Sequence, residues 1–560
     1  MNPSTLLELD RPQLDALLQR IEPVLIGADY RMLKVLVDTF LFMTQWLQSK
    51  NASIQRLRKM LFGAPTEKTR KVLKNALQEE AGCGQQADQA SGGTPQPGAV
   101  APDKPAKPRP GHGRNGAQDY PGADKVQLEH PNLNAGELCP QCEQGKVYAM
   151  APGVLMRITG QAPLQATVYE FQKLRCNLCS QIYTAPRPAG INPQKYDARA
   201  ASMIALLKYG SGQPFYRLQR LQDGLGMPLP ASTQWKVVAA AAELIKPAYQ
   251  ELIRQAAQGE VLYNDDTTNK VLALMKENTI NQELALSSTT GDKPRTGIFT
   301  TGIVSTFKKH TIALFFTGRQ HAGENLAKVL KHRDPALGAP IQMCDALSRN
   351  LPPECDTINA NCNSHARRNF VDVVDSFPSQ CAVVLETIRQ VYGNDALCKQ
   401  RGFSPEQRLQ WHQSESGPLM QTLRLWLDEQ FEHHLVEPNS GLGEAIAYMR
   451  KHWDKLTLFL RQAGAPLDNN ICERIIKMVI LHRKNALFFK TQKGADVGDL
   501  FMSLIHTCQL CGINPFDYLI ALQAHHNAMR EHPAQWMPWN YQQTMARADN
   551  TSLVHNALAA

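Results

Sequence analysis

The order of strands, acids and helices between residues 260 and 475 constrains this chain more than any other feature. Val261-Leu262-Tyr263 is a short apolar, β-prone run that leads straight into Asn264-Asp265-Asp266-Thr267. Residues Thr300–Val304 and Thr311–Phe316 read as two further strands, and a helix is expected around Asn325–Leu330. Ile341–Cys344 is a fourth strand that runs directly into Asp345. Thr357–Cys362 is a fifth, followed by a helix carrying His365-Ala366-Arg367-Arg368. Much later, Leu467-Asp468-Asn469-Asn470-Ile471-Cys472-Glu473-Arg474 opens another helix. A short side-chain oxygen can accept from the first-turn N–H groups, and Asp468 is the expected cap. Ile471, Ile475, Met478 and Val479 recur on a buried face, while Glu473, Lys477 and Lys484 fall on another. Taken alone, that helix is an ordinary amphipathic one with a Glu-to-Lys pair, and an acid after a strand is usually a turn residue. The combination carries the information.

Strand–acid, two strands, helix, strand–acid, strand, helix and a late helix with an acid is the order a ribonuclease-H-like fold requires. The expected class is therefore an α/β multidomain protein. Its catalytic core would be a mixed five-stranded sheet flanked by helices. Asp265 and Asp345 would sit at neighbouring strand ends with Glu473 facing them. Three such carboxylates suit two magnesium (or manganese) ions per active site, which activate an attacking oxygen and steady a leaving one. Of the adjacent pair, Asp265 is the ligand expected, because Asp266 points to the opposite strand face.

The rest of the 560 residues divides around this core. Residues 1–80 read as a helical N-terminal domain for dimerisation or DNA binding, and a segment within it carries Arg56, Arg58 and Lys59. Residues 81–125 are rich in Gly, Pro, Gln and Ala and read as a flexible basic linker, with an arm carrying Arg109 and Arg114. Residues 126–187 contain Cys139-Pro-Gln-Cys142 and Cys176-Asn-Leu-Cys179. Two such pairs are the signature of one structural zinc on four thiolates, although the stretch between them exceeds the usual ~15–20 residues. A zinc ribbon with a long hairpin accommodates it. Residues 188–258 read as a helical DNA-binding or connector domain. Residues 224–235 there resemble the turn and second helix of a helix-turn-helix with Ser232 as cap. The core spans 259–370 and 466–530, interrupted by a mainly helical insertion over 371–465; residues 531–560 form a C-terminal tail. Cys508 and Cys511 lie on an apolar helix without a second pair and are read as core. Thirteen cysteines, an odd number and mostly scattered singly in apolar segments, point to reduced thiols. The net charge of +9 is modest, so its clustering matters more than its sum. No apolar run reaches the length of a membrane span, and no signal peptide is recognised.

The chain resembles the insertion sequence 66 family of bacterial DDE transposases along nearly its whole length. The shared pieces stand in family order: Leu61-Phe62-Gly63 with Thr66-Glu67-Lys68; Gly111-His112-Gly113-Arg114; the Cys-x-x-Cys pairs; Lys208-Tyr209 and Pro214-Phe215-Tyr216-Arg217; Asp265-Asp266-Thr267; Asp345; Cys362-Asn363-Ser364-His365-Ala366-Arg367-Arg368; Asp468-Asn469-Asn470 with Glu473-Arg474; Arg483-Lys484-Asn485; and Asn514-Pro515 with Tyr518-Leu519. The chain departs from the family at Asp266, where Glu is usual, at Asn363-Ser364, where Trp-Ala is usual, and at His482, where Gly is usual.

The resemblance implies a catalytic triad of Asp265, Asp345 and Glu473, acting in magnesium-dependent DNA cleavage and strand transfer. It implies DNA as partner, both the terminal inverted repeats and the target, and a homodimer or higher assembly. Small accessory proteins from the same element and a cytoplasmic, nucleoid-associated location are further expectations, with no membrane. His365, Arg367, Arg368, Arg474, Lys477, Arg483 and Lys484 are expected DNA contacts. Two alternatives keep the fold and change the activity: a catalytically inactive zinc-ribbon regulator, and a nuclease without strand transfer. A magnesium-dependent nicking assay separates the first, and a joined product on target DNA the second.

The cysteine spacing makes a prediction of its own. Purified protein should carry one zinc per chain, and Cys139→Ser should lower the metal content in elemental analysis. Equal zinc in both proteins would refute the site.

Overall fold

A computed structural model describes residues 194–285 and 295–547, short stretches between 134 and 188, and scattered positions before residue 70. Arg56, Arg58, Lys59, Arg109, Arg114, Cys139, Cys176 and Cys179 lie outside the described residues, as does nearly all of the expected linker. Residues 18–21, within the expected helical N-terminal domain, are helical. The chain divides into two compact units, residues 88–167 and the remainder. Within the smaller one, an antiparallel bridge joins Leu138 to Lys146 around an exposed turn that contains Cys142.

The centre of the larger unit is a mixed five-stranded sheet. Its strands are β1 (Val261–Thr268), β2 (Phe299–Phe307), β3 (His310–Gly318), β4 (Ile341–Cys344) and β5 (Ile358–Asn361). Their order is β3-β2-β1-β4-β5, with β1, β2 and β3 antiparallel and β4 and β5 parallel to β1. The sequence places all five; the one correction concerns the length of β1. It does not end at its acids but continues to Thr268, because β2 offers partners as far as Phe299. On its other side, pairing with β4 stops at Tyr263–Met343. The two acids therefore belong to a strand that is hydrogen-bonded on one edge and open on the other.

Helices cover both faces. Helix α1 (Ala198–Ala205) passes into a π-helical turn over Leu206–Gly210, followed by α2 (Phe215–Gly224) and the 26-residue α3 (Ala231–Ala256). The expected Ser232 cap is corrected. The helix begins at Ala231 after Pro230, whose fixed φ suits a helix entrance, so Ser232 already lies in the first turn. The Ala231 N–H is met by Gln219 Oε1 at 3.0 Å, and buried Gln234 donates to Phe215 O and Leu229 O.

After β1 come α4 (Leu272–Ala285), α5 (Ala322–Leu330) between β3 and β4, and α6 (Asn363–Val373) after β5. Residues 378–460 are helical throughout most of their length: α7 (Pro378–Gln400), α8 (Pro405–Trp411), α9 (Gly417–Glu432), α10 (Gly441–Lys451) and α11 (Trp453–Leu456). Their apolar faces join Phe370, Val371 and Val374 of and beside α6 in one core with Ile341 and Met343 of β4. A buried charge knot fastens them. Asp395 meets Arg408 at 2.6 Å, Lys399 at 2.8 Å and His412 at 3.3 Å, while Arg408 also donates to Ala465 O. Burial opposes ionisation of Asp395, but His412, Arg408 and Lys399 override it and hold the carboxyl well below its usual range.

Helices α12 (Asn470–Ala486) and α13 (Gln492–Leu510) complete the layer, and α14 (Pro515–Ala524) follows. Helix α13 closes the open edge of β3. Thr507 Oγ1, Ser503 Oγ and Asp499 Oδ2 accept from the N–H groups of Ala313, Phe315 and Thr317 at 3.0, 3.0 and 2.6 Å. Four residues of helix and two of strand advance by nearly the same distance, ~6 Å against ~6.8 Å. A helical row of short polar side chains can therefore replace a missing strand and blunt an edge that would otherwise pair elsewhere. Cys511 extends the row to Thr311 O, and Cys508 is buried, consistent with reading both as core. No helix among the described residues is long and apolar enough to cross a membrane.

Thr507→Val keeps the side-chain volume but leaves the Ala313 N–H without an acceptor. It should cost about 1–3 kcal/mol in chemical denaturation and raise exchange at that amide, whereas Thr507→Ser should preserve both.

Candidate active site

The parallel pair β1–β4 sets two aspartates beside each other. The register Val261–Ile341, Leu262–Gln342, Tyr263–Met343 stops two residues short of Asp265 and Asp345, which lie near enough for the charge of Asp345 to act on Asp265. Neither side chain is fully buried. Asp345 is steadied by Asn350 Nδ2 and by the Leu347 N–H at 3.2 Å. Asp265 Oδ1 accepts from the Asp266 N–H at 2.8 Å. Burial first, and then the nearby charges of Asp345, Asp266 and Glu473, push the Asp265 carboxyl up to about 7. Like-charged groups gathered at one strand opening are what a bound cation would relieve.

Strand alternation separates Asp265 from Asp266. The Asp266 side chain is almost completely buried against His321 Nδ1 at 2.9 Å and Arg349 at 3.4 Å. It anchors the start of α5 and the segment after β4, a structural task.

Glu473 arrives on α12, which lies across β1 and β2. Gly302, the β2 partner of Asp265, makes this approach possible: a Cβ there would lie 2.8 Å from Ile476 Cδ1 and 3.3 Å from Ile475 Cδ1. Cys472 Sγ donates to Gly302 O at 3.3 Å. The capping is shared. The expected Asp468 cap is corrected: the cap position is Asn469, whose side chain makes no capping bond, while Asp468 Oδ1, one residue earlier, accepts from the Asn470 N–H at 3.0 Å and fully buried Asn469 donates to Asn264 O at 3.1 Å. Asn469 thus pins the start of α12 to the backbone next to Asp265. From the other side, the Asn363 backbone N–H and its Nδ2 both donate to Leu467 O, and Nδ2 also reaches Leu456 O. The departure at Asn363 therefore has a structural use.

The expected DNA-contacting residues separate into groups. His365 Nδ1 lies 3.7 Å from Glu473 Oε1, and Arg368 lies 3.9 Å from Glu473 Oε2. The two facing atoms, His365 Nδ1 and Glu473 Oε1, are buried without a hydrogen-bond partner. Arg367, on the same helix, donates to Thr69 Oγ1 at 3.3 Å. Arg474, Lys477 and Lys484 line the exposed side of α12. Arg483 instead ties that helix to the end of β1 through Thr267 and Thr268. His482 is buried and stacked on Phe489, with ring centroids 5.1 Å apart, and against Tyr209 at 6.1 Å. Burial and the nearby Lys208 depress its basicity to about 3. The sequence gives no sign of these partners, which come from distant segments.

Among the described residues, the His/Cys/Asp/Glu group whose ligand atoms lie within 4.8 Å of one another is Cys362, His365 and Glu473. Burial pushes the Cys362 thiol up to about 11, and its sulfur accepts from the Asn469 N–H at 3.2 Å. Asp265, Asp345 and Glu473 offer oxygen ligands of the kind a hard divalent cation takes, but they are not gathered this closely among the described residues; one carboxylate oxygen of Glu473 is buried without a partner.

Comparison with known proteins places this arrangement. A family profile described as "Transposase IS66 family" matches residues 194–497, more than half of the chain. Three similar proteins come from Sinorhizobium fredii. "Uncharacterized protein y4hP" is 24% identical over 76% of this chain and 77% of its own length. "Uncharacterized protein y4jD" is 27% identical over 61% of this chain and 66% of its own length, and "Uncharacterized protein y4qI" is 25% identical over 61% and 62%. With the matched span enclosing the whole five-stranded sheet and both α12 and the start of α13, the chain belongs to the IS66 family of transposases.

Proposed function

We propose that this chain cuts DNA at the ends of a mobile element and joins the freed ends to a target, using Asp265, Asp345 and Glu473 as its metal-binding carboxylates. What supports the reading is that Asp265 and Asp345 follow closely on the paired ends of β1 and β4, and that the charges of Asp345 and Glu473 both reach Asp265. The strand order and directions support a ribonuclease-H-like core, with residues 371–465 as its insertion. A zinc ribbon on Cys139, Cys142, Cys176 and Cys179 belongs to the same reading and rests on their spacing in the sequence.

Magnesium or manganese bound to the carboxylates supplies Lewis-acid stabilisation of charge on the reacting phosphodiester. The protein's own contribution is placement. Asn350 orients Asp345, and the open β1 edge leaves Asp265 accessible from the β4 side. Asn469 and Gly302 fix how closely Glu473 approaches. Arg368 offsets the charge of Glu473, and His365 stands beside it. Arg474, Lys477 and Lys484 present an exposed cationic edge to the phosphate backbone.

Replacing Asp265, Asp345 or Glu473 by Ala should reduce cleavage of end DNA by ~10³-fold or more, the value of several kcal/mol of transition-state stabilisation. Duplex binding in a mobility-shift assay should persist; cleavage retained in all three variants would refute the assignment. A second prediction follows from the raised Asp265 carboxyl. Its folded-state value of about 7 lies above the unfolded one, so the metal-free native state binds the extra proton. Its penalty grows as pH rises from about 4 to 7 and is complete above that window. Asp265→Asn should therefore stabilise the metal-free protein at pH 8 by on the order of 2–4 kcal/mol. It should also remove the stabilisation that added magnesium gives the wild type in a thermal-shift measurement.

A further inference from the structure

Helix α12 ends in an unusual way. The Leu487 N–H still donates to Arg483 O at 2.8 Å, but Leu487 then turns to φ 67° and ψ −43°. The Phe488 N–H donates to Ala486 O at 2.8 Å, closing a three-residue γ-turn with Leu487 at its centre. That turn, with positive φ at its centre, is rare and strained even in loops, and a leucine there adds to the strain. Glycine would fit without strain. The strain gains no burial: Leu487 is 61% exposed and Phe488 44% exposed. Nor is the tip loose. The next residue, Phe489, is buried, its N–H donates to Lys270 O at 2.9 Å, and its carbonyl accepts from the Leu272 N–H at 2.9 Å. Two large apolar side chains are thus held out in solvent on a rigid backbone.

What surrounds them identifies a partner. Lys484 and Lys490 flank the tip and are exposed, and Lys477 and Arg474 continue the exposed cations back along α12. On the helical wheel, Glu473, Lys477 and Lys484 share one edge, and Leu487 lies at the end of it. At 1.5 Å per residue, Leu487 stands roughly 21 Å from Glu473, about six base-pair steps of duplex. An apolar protein partner would be poorly served by this ring of cations. A nucleic acid supplies both complements, phosphates for the lysines and base faces for the apolar tip.

We propose that Leu487 and Phe488 form a wedge that enters a base step of bound duplex DNA about six base pairs from the phosphate held near Glu473. This inference rests on the transposase reading above and adds a site of base unstacking to it. Apolar wedges of this kind partly unstack a step and bend the duplex, at an expense recovered from stacking and backbone contacts.

The test uses full-length protein and duplexes tiling the DNA that flanks its own coding sequence. Permanganate, which oxidises unstacked thymines, reads the distortion, and a mobility shift reads affinity. Wild type should create reactive thymines about six base pairs from the cleavage point. The variant Leu487→Gly with Phe488→Ala should lose that reactivity and bind about fivefold or more weakly, as expected if at least one stacking contact is lost. It should stay folded, because glycine relieves the turn. Lys484→Ala should weaken binding while leaving the reactive thymines in place. If wild type binds and cleaves DNA but reactivity and affinity are unchanged in the double variant, the wedge is wrong and the transposase reading survives. If the double variant changes only self-association in sedimentation, the tip is a protein interface and the proposal is likewise overturned. If wild type binds none of the duplexes, both readings fall.

Discussion

Two carboxylates placed side by side by a parallel strand pair impose the constraint around which this core is built. Burial makes the Asp265 charge costly, and the charge of neighbouring Asp345 adds to that cost, so the Asp265 carboxyl is raised. A fold keeps such a pair only if the backbone is held firmly enough to prevent the strands from sliding or splaying. Here β1 is locked to β2 along its whole length, β2 is locked to β3, and the outer edge of β3 is satisfied by the polar row on α13. The opening at Asp265 and Asp345 is confined to the one place where β4 stops.

The third acid depends on a different kind of restraint. Glu473 is positioned less by the cap of its own helix than by what grips the chain just before it. Asn469 holds the β1 backbone, Asn363 holds Leu467, and Arg408 in the charge knot of the helical segment holds Ala465. Tyr392 on α7 adds a link through Ser364 on α6 at 3.0 Å. The long helical segment between β5 and α12 therefore reaches the site mechanically: its buried ion pairs and apolar core fix the approach of the helix that carries Glu473. Removing one member of such a buried charge cluster would leave the others uncompensated, a far larger disturbance than losing a surface pair.

Much of this was legible in the sequence because the relevant signals are local. Strand-forming runs that pass directly into Asp265 and Asp345 mark the sheet and the acids. Period-two alternation separates Asp265 from Asp266, and the buried pairing of Asp266 with His321 agrees with that separation. What stayed hidden depends on partners far away in the chain. The extension of β1 past its acids depends on β2, and the Arg483 clamp on Thr267 and Thr268. The stacking of His482 needs Tyr209, and nothing near Thr507 or Ser503 announces that they accept from an edge strand. The strained turn at Leu487 was invisible for another reason: a leucine carries no signal for a left-handed backbone, which sequence reading expects of glycine or asparagine.

The most direct test of the account is a crystal structure of the protein with cleaved end DNA and manganese, read by anomalous scattering. The account predicts manganese density at bonding distance from both Asp265 and Asp345, with Glu473 turned away from His365 to complete the site. Manganese bound at Cys362, His365 and Glu473, with Asp265 and Asp345 free of metal, would contradict it.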